Sequence, residues 1–197
     1  MAMTQGNRET GKHFVVYTDV FCPYCDKFGN ALHANAAEFA ENYIDNGKVF
    51  FELRVTEINH RSGHSANSRL GGETNYCAAR QDKFWPYYEA LLGQLFADYH
   101  SKGIGIDKDA AKIPKLENSY FYAVGEKAGL DGEAFASCVE NHEALDELIS
   151  ATDRTLKIIP GGIPYFAFGD YRASGFSGNW NTGNDWHQAK LMLDAGL

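Results

Sequence analysis

The chain has 197 residues, 44% of them hydrophobic, with 18 Lys and Arg against 26 Asp and Glu for a net charge of −8. That length suits one globular domain, or a domain carrying a large insertion, with a sizeable core, and the acidic balance without any Lys/Arg-rich block excludes a nucleic-acid footprint. No run approaches the roughly 20 apolar residues that cross a bilayer, and the four cysteines are too few for a disulfide scaffold.

The opening MAMTQGNRETGK carries neither a charged n-region nor an apolar h-region. His13–Thr18 is then a short β-branched and aromatic run that reads as a strand, and the stretch after Pro23, YCDKFGNALHANAAEFAENYI, repeats apolar residues at helical spacing. Asn46-Gly47 punctuates the chain, and Val49–Thr56 reads as a second strand, so the first part is a βαβ unit with a parallel strand pair. From about residue 65 to 157 the pattern is mainly helical, in TNYCAARQDKFWPYYEALLGQLFADY, ENSYFYAVGEKAGL and the Asp131-led DGEAFASCVENHEALDELISATDRTLK. Two apolar runs flanking Gly169-Asp170 predict an antiparallel hairpin. The closing NDWHQAKLMLDA predicts a last helix with Asn184 and Asp185 as caps.

The chemistry concentrates at Phe21-Cys22-Pro23-Tyr24-Cys25, at the junction of the first strand and helix. A cysteine there has its thiolate favoured by free backbone N–H groups and the positive dipole end, and Pro23 suits the first helical position. The three-residue offset brings Cys25 within bonding reach across one turn, with Cys22 on the exposed side and Cys25 facing inward. Attacker and resolver are the expected roles. The competing reading is half a zinc site, for which His60 and His64, in a polar loop-like stretch, are the candidate remaining ligands; solvated loop histidines are the commoner outcome, and no metal is expected. Phe84-Trp85-Pro86-Tyr87-Tyr88 reads as core and interdomain packing. Phe21 and Tyr24 are candidate substrate contacts, and Phe176-Ser177-Gly178-Asn179-Trp180 is a weaker one. Cys77 and Cys138, 61 positions apart on two predicted helices, read either as two separate buried thiols or as a pair.

FCPYC, NYCAARQDKFWPYYEALL, AGLDGEAFASCV and GIPYFAFGDYRASGF together resemble DsbA-like thiol:disulfide oxidoreductases, and the likeness covers nearly the whole length. The resemblance implies an α/β thioredoxin-like fold (βαβ … ββα, mixed sheet) with a large helical insertion, residues 13–60 and 158–197 forming one domain and 61–157 the insert. It implies Cys22 as nucleophile, Cys25 as resolving thiol and Ile163-Pro164 as the cis-proline dipeptide, with Phe21, Pro23 and Tyr24 beside the substrate. Strand addition at that dipeptide makes recognition permissive in sequence. It further implies a Cys77–Cys138 disulfide of the kind some Gram-positive and actinobacterial relatives have, worth roughly 4 kcal/mol at most.

The redox-active Cys22–Cys25 disulfide then serves in place of a cofactor. The implied partners are unfolded or reduced secreted proteins and a membrane reoxidase of the DsbB or vitamin K epoxide reductase type. The residues before His13 are too few for a dimerisation segment, so a monomer is expected; the resemblance implies an extracytoplasmic setting, with an export signal or anchor upstream of Met1-Ala2-Met3, and a cytoplasmic location stays open. The thioredoxin-fold acid six residues before the first cysteine is replaced by Val16, which leaves Asp19 as the nearer candidate for a proton shuttle. Tyr24 stands where the best-known active site has histidine, so a less oxidising poise is expected. CPYC is also the glutaredoxin dipeptide pattern, so a glutaredoxin-like or cytosolic reductase, and a peptide- or metal-binding module without turnover, remain the alternatives.

Overall fold

The residues that pair in the sheet decide where the two cysteines stand. A computed structural model describes residues 3–107, 110–177 and 180–197. Strands β1 (Thr4–Gln5), β2 (Lys12–Thr18), β3 (Val49–Val55), β4 (Tyr165–Phe168) and β5 (Tyr171–Ser174) form one mixed sheet in the order β1-β3-β2-β4-β5. β2 and β3 run parallel in register from Lys12 opposite Val49 to Thr18 opposite Val55, while β4 is antiparallel to β2 with Tyr165 opposite Tyr17. The expected parallel pair is therefore present, and so is the expected hairpin, β4 and β5 pairing antiparallel with Phe168 opposite Tyr171. β1, antiparallel to β3, has only two residues and therefore left no periodic trace to read.

Alternation along β2 separates two packing layers, as period-2 geometry requires. Phe14 and Val16 join the large core, where Phe14 lies 5.4 Å from Phe51 and 6.5 Å from Phe28. Val15 and Tyr17 face the other way and form a smaller cluster with Ile159 and Tyr165. Helices α1 (Pro23–Ala34) and α9 (Thr182–Gly196) pack together on the large-core side, with Trp186 of α9 buried against Phe39.

The stretch after Pro23 is not one helix. α1 ends at Asn35, whose φ of −122° and ψ of 25° leave the helical region; a four-residue α2 (Ala36–Phe39) and a π-type turn (Ala40–Ile44) follow. The apolar spacing runs through the break, which is why periodicity alone misses it.

The helical insert begins with a short α3 (Ile58–Arg61), so the stretch carrying His60 is a helical turn rather than a loop. It continues with α4 (Ser68–Arg80), α5 (Phe84–Asp98), α6 (Asn118–Lys127), α7 (Gly132–Glu140) and α8 (Leu145–Leu156). Asp82 between α4 and α5 and His142 between α7 and α8 have φ of 56° and 52°, left-handed conformations that end the preceding helix. Asp131 caps α7 by accepting the Ala134 N–H at 3.0 Å. At α9 the cap is Asn181, which accepts from Gly183 and Asn184; the expected caps Asn184 and Asp185 lie inside the first turn instead. The helix starts earlier because Thr182 and Gly183, although weak formers, join it once Asn181 satisfies the free N–H groups.

Phe84, Tyr87 and Tyr88 are buried, and Trp85 reaches across to the sheet, stacking 5.7 Å from Phe51 with its Nε1 donating to the Thr4 carbonyl at 3.4 Å. A disulfide joins Cys77 on α4 to Cys138 on α7, with Cα atoms 5.9 Å apart.

Candidate active site

The register just described sets the site. With Tyr165 opposite Tyr17, Pro164 comes beside the end of β2 where Thr18 hands the chain to Cys22. The Ile163–Pro164 peptide bond is cis. The loop around it is tied to β5 by Gly175 N–H donating to the Pro164 carbonyl at 2.8 Å and Ser174 Oγ donating to the Gly162 carbonyl at 2.6 Å.

Cys22 is the N-cap residue of α1 and Pro23 opens the helix. Its Sγ accepts the Cys25 backbone N–H at 3.4 Å and lies 3.6 Å from the Ile163 carbonyl oxygen, to which the thiol donates. A sulfur held by a helix's first free N–H is in a field that favours negative charge. Both cysteines are free thiols and both are buried: Cys22 is only 4% exposed, so the expectation of an exposed Cys22 is corrected. The reason is the cis-proline loop, whose Ile163 carbonyl closes over the sulfur. The surface beside it is formed by partly exposed Pro23 and Ile163 and by Tyr24, which is 44% exposed.

Phe21 does not belong to that surface. It is buried, its ring 6.4 Å from Phe121 of α6 and so close to Gly71 of α4 that a Cβ there would stand 2.5 Å from it. Its role as a substrate contact is corrected to packing of the insert on the active-site loop, because a ring of this size is stabilised more by burial than by presentation to water. Phe176 is likewise core, 5.5 Å from Phe28. Gly178 and Asn179 lie outside the described residues. Trp180 packs 5.2 Å from Phe96 and 5.5 Å from His100, while the Lys27 ammonium lies 5.3 Å from the Tyr24 ring and 5.1 Å from the Trp180 ring.

Asp19 is fully buried and holds the loop together. Its carboxylate accepts from the Phe21 N–H at 2.9 Å, the Asn59 N–H at 2.9 Å and Ser68 Oγ at 2.5 Å. Burial pushes its pKa up to about 6 against the opposing pull of these bonds. Val16 packs in the large core at the position where an acid was sought.

Sequence reading missed a second buried acid. Asp26 lies on the buried face of α1 with its carboxylate bonded to His100 Nδ1 and to Asn30 Nδ2, and burial pushes it up to about 6, with His100 opposing. The signal for Asp26 was available: positions 22, 25, 26 and 29 share one helix face, so an inward thiol carries an inward acid beside it. His100, 74 residues away, had none. Burial likewise raises the Cys25 thiol well above its ordinary value; Cys22 adds to this, while the Asp19 N–H and the Thr18 hydroxyl oppose it.

His60 and His64 do not join the cysteines. His64 Nδ1 is bonded to Ser62 Oγ at 2.6 Å, and among the described residues no group of three or more His, Cys, Asp and Glu side chains comes together as a metal ion would need.

Residues 1–158 match the family model described as Thioredoxin. The chain belongs to the thioredoxin family. Its fold is the DsbA-like form of that family's architecture, a thioredoxin-like mixed sheet interrupted by helices. BdbD from Bacillus subtilis superposes with a TM-score of 0.67 at 15% identity, over 98% of this chain and 91% of that one. DsbA from Chlamydia trachomatis gives 0.66 at 13% identity over 98% and 91%, and α-DsbA2 from Wolbachia pipientis 0.64 at 16% over 98% and 86%. No curated protein matches this thioredoxin-family member in sequence.

Proposed function

We propose that the protein is a thiol:disulfide oxidoreductase acting as a dithiol oxidase on folding proteins. One observation carries the reading: the Cys22 sulfur caps a helix N-terminus 3.6 Å from the carbonyl that precedes a cis-proline, with its partner thiol one turn below. In the oxidised protein a substrate thiolate attacks Cys22 Sγ, the Cys22–Cys25 bond breaks, and its electron pair leaves on Cys25. A second substrate thiolate then attacks the substrate sulfur of the mixed disulfide and releases Cys22, so the substrate gains a disulfide and the protein becomes a dithiol.

Cys22 is the leaving sulfur, and the Cys25 backbone N–H in the first turn of α1 reaches it at 3.4 Å. Substrate lies over Pro23, Tyr24 and the Ile163-Pro164 dipeptide, whose backbone receives an extended chain irrespective of its sequence. All these groups come from one chain, which supports a working monomer. The Cys77–Cys138 disulfide supports an extracytoplasmic setting, where a membrane reoxidase of the DsbB or vitamin K epoxide reductase type returns the dithiol to the disulfide. The redox-active cysteines are all the chemistry requires, so no cofactor is invoked.

Equilibration with glutathione buffers reads the potential of the pair, and refolding of a reduced substrate containing several disulfides reads turnover. A potential well above that of cytosolic dithiol reductants, with oxidative refolding that disappears in Cys22→Ser, is the expected result. A potential as low as those reductants would make the protein a reductase, and full refolding activity in Cys22→Ser would remove the redox mechanism altogether.

A further inference from the structure

The step in which Cys25 departs has a cost at its own site. Cys25 is 1% exposed, and the thiolate formed when the disulfide is attacked appears in a buried place where desolvation opposes its charge. The charged neighbours are unhelpful: Asp26 is spent on His100 and Asn30, Asp19 on its three loop bonds, and Cys22 has become part of the mixed disulfide.

The Asp19 backbone N–H favours the thiolate, and two neutral side chains stand beside it. Thr18 ends β2 directly beneath the cysteines; its carbonyl is taken by the N–H and the hydroxyl of Thr56, both at 2.8 Å, but its own hydroxyl has no hydrogen-bond partner among the described residues. Tyr88 projects from α5 against the underside of α1. A Cβ at Gly29, one turn on from Cys25, would stand 3.2 Å from the Tyr88 hydroxyl oxygen, and that oxygen too finds no partner among the described residues. The Thr18 hydroxyl favours the charged form of both the Cys25 thiol and the Tyr88 phenol, and Gly29, beside which Tyr88 ends, lies one turn from Cys25 on the same face of α1. Thr18 and Tyr88 are 1% and 3% exposed. A buried hydroxyl left unbonded is destabilising, and two of them beside the active-site helix are hard to justify by packing, since Val and Phe would fill the same space.

We propose that the hydroxyls of Thr18 and Tyr88 are a built-in donor pair for the departing Cys25 thiolate. The inference rests on the oxidoreductase reading above. As a substrate thiolate bonds to Cys22 Sγ and the electron pair of the broken bond settles on Cys25, the Thr18 hydroxyl turns its hydrogen to that sulfur and Tyr88 donates to Thr18 in turn. Neither gives up its proton. Burial holds the Tyr88 phenol protonated at any working pH, so it acts as a donor only, and Cys25 takes its proton later from solvent. The same pair serves the reverse reaction, in which the Cys25 thiolate attacks the mixed disulfide.

Single-turnover mixing of the oxidised full chain with dithiothreitol, followed by tryptophan fluorescence, measures the step directly. A hydrogen bond to a charged group is worth enough to change a rate by about tenfold or more, so Thr18→Val and Tyr88→Phe are each expected to slow attack about tenfold, with folded stability equal to or above the parent. Thr18→Ser, which keeps the hydroxyl, recovers the rate. In the reverse direction, resolution of a Cys22–glutathione mixed disulfide by Cys25 shifts to higher pH in both hydroxyl-free variants.

Rates and pH profiles within about twofold of the parent in both variants would overturn the proposal, as would a Thr18→Ser protein as slow as Thr18→Val, which would mean packing. Failure of the parent itself to react with dithiothreitol would instead defeat the oxidoreductase reading, so the two failures are distinguishable.

Discussion

The molecule carries two cysteine pairs, and both are buried; what separates them is the backbone around each sulfur. Cys77 and Cys138 sit within the helices α4 and α7, where backbone N–H groups are already used by the helix ladder and the sulfurs have only each other. Cys22 and Cys25 straddle the beginning of α1, where a free N–H meets the first sulfur and a carbonyl from a distant loop lies over it. Exposure, the usual guide to a reactive thiol, fails to distinguish the pairs here. Position relative to a helix end succeeds, because it decides whether a thiolate finds donors when it forms.

The sharpest way to break this comparison is to remove one sulfur from each pair. Cys22→Ser should reduce thiol–disulfide exchange to the uncatalysed background while leaving a folded chain, measured by refolding of a reduced substrate and by circular dichroism. The double variant Cys77→Ala/Cys138→Ala should do the opposite. It loses up to about 4 kcal/mol of stability by the loop-closure estimate, read by denaturant unfolding, with the exchange rate of the folded fraction unchanged. A large loss of exchange in the second variant would erase the distinction between a working and a structural pair.

Asp19 sharpens the contrast by linking the site's loop to pH. A carboxyl that keeps its proton to about pH 6 when folded, against an ordinary value of 3.8, binds more protons folded than unfolded between those limits. Its contribution to stability is therefore present below about pH 4 and lost as pH rises through about 6, by about 2–3 kcal/mol. Unfolding free energies of the parent and Asp19→Asn, compared at pH 4 and pH 7, should show the parent losing that amount relative to the variant; parallel curves would show that the three hydrogen bonds cancel the burial. In the insert, Asp131→Ala should cost only about 1 kcal/mol, the usual value of a helix cap, with no change in exchange rate.

Much of this was readable from residue order. The strand runs at 13–18 and 49–56, the hairpin about Gly169-Asp170 and the thiol pair at a strand–helix junction all follow from local rules that the tertiary structure leaves intact. What escaped reading was set by partners far away in sequence. The two residues of β1 become a strand only because β3 is there to pair with them, and Phe21 is buried only because α4 and α6 arrive over it. The Asp26–His100 pair spans 74 positions and the approach of Tyr88 to Gly29 spans 59. Asn35 ends a helix whose apolar rhythm continues, since Phe39 and Tyr43 keep facing the core through the irregular turns that follow.

The small strand at Thr4–Gln5 has a consequence if the proposed clients are incompletely folded chains. Without it, every second residue of β3 would present open N–H and C=O groups along one border of the sheet, an invitation for any extended chain to pair there permanently. The Thr4 and Gln5 pairing blunts that border, Leu53 N–H donates to the Met3 carbonyl, and Trp85 fastens the segment from above. Under the proposed function, a client is then left the rim beside Pro164, where its stay ends with the exchange of a bond.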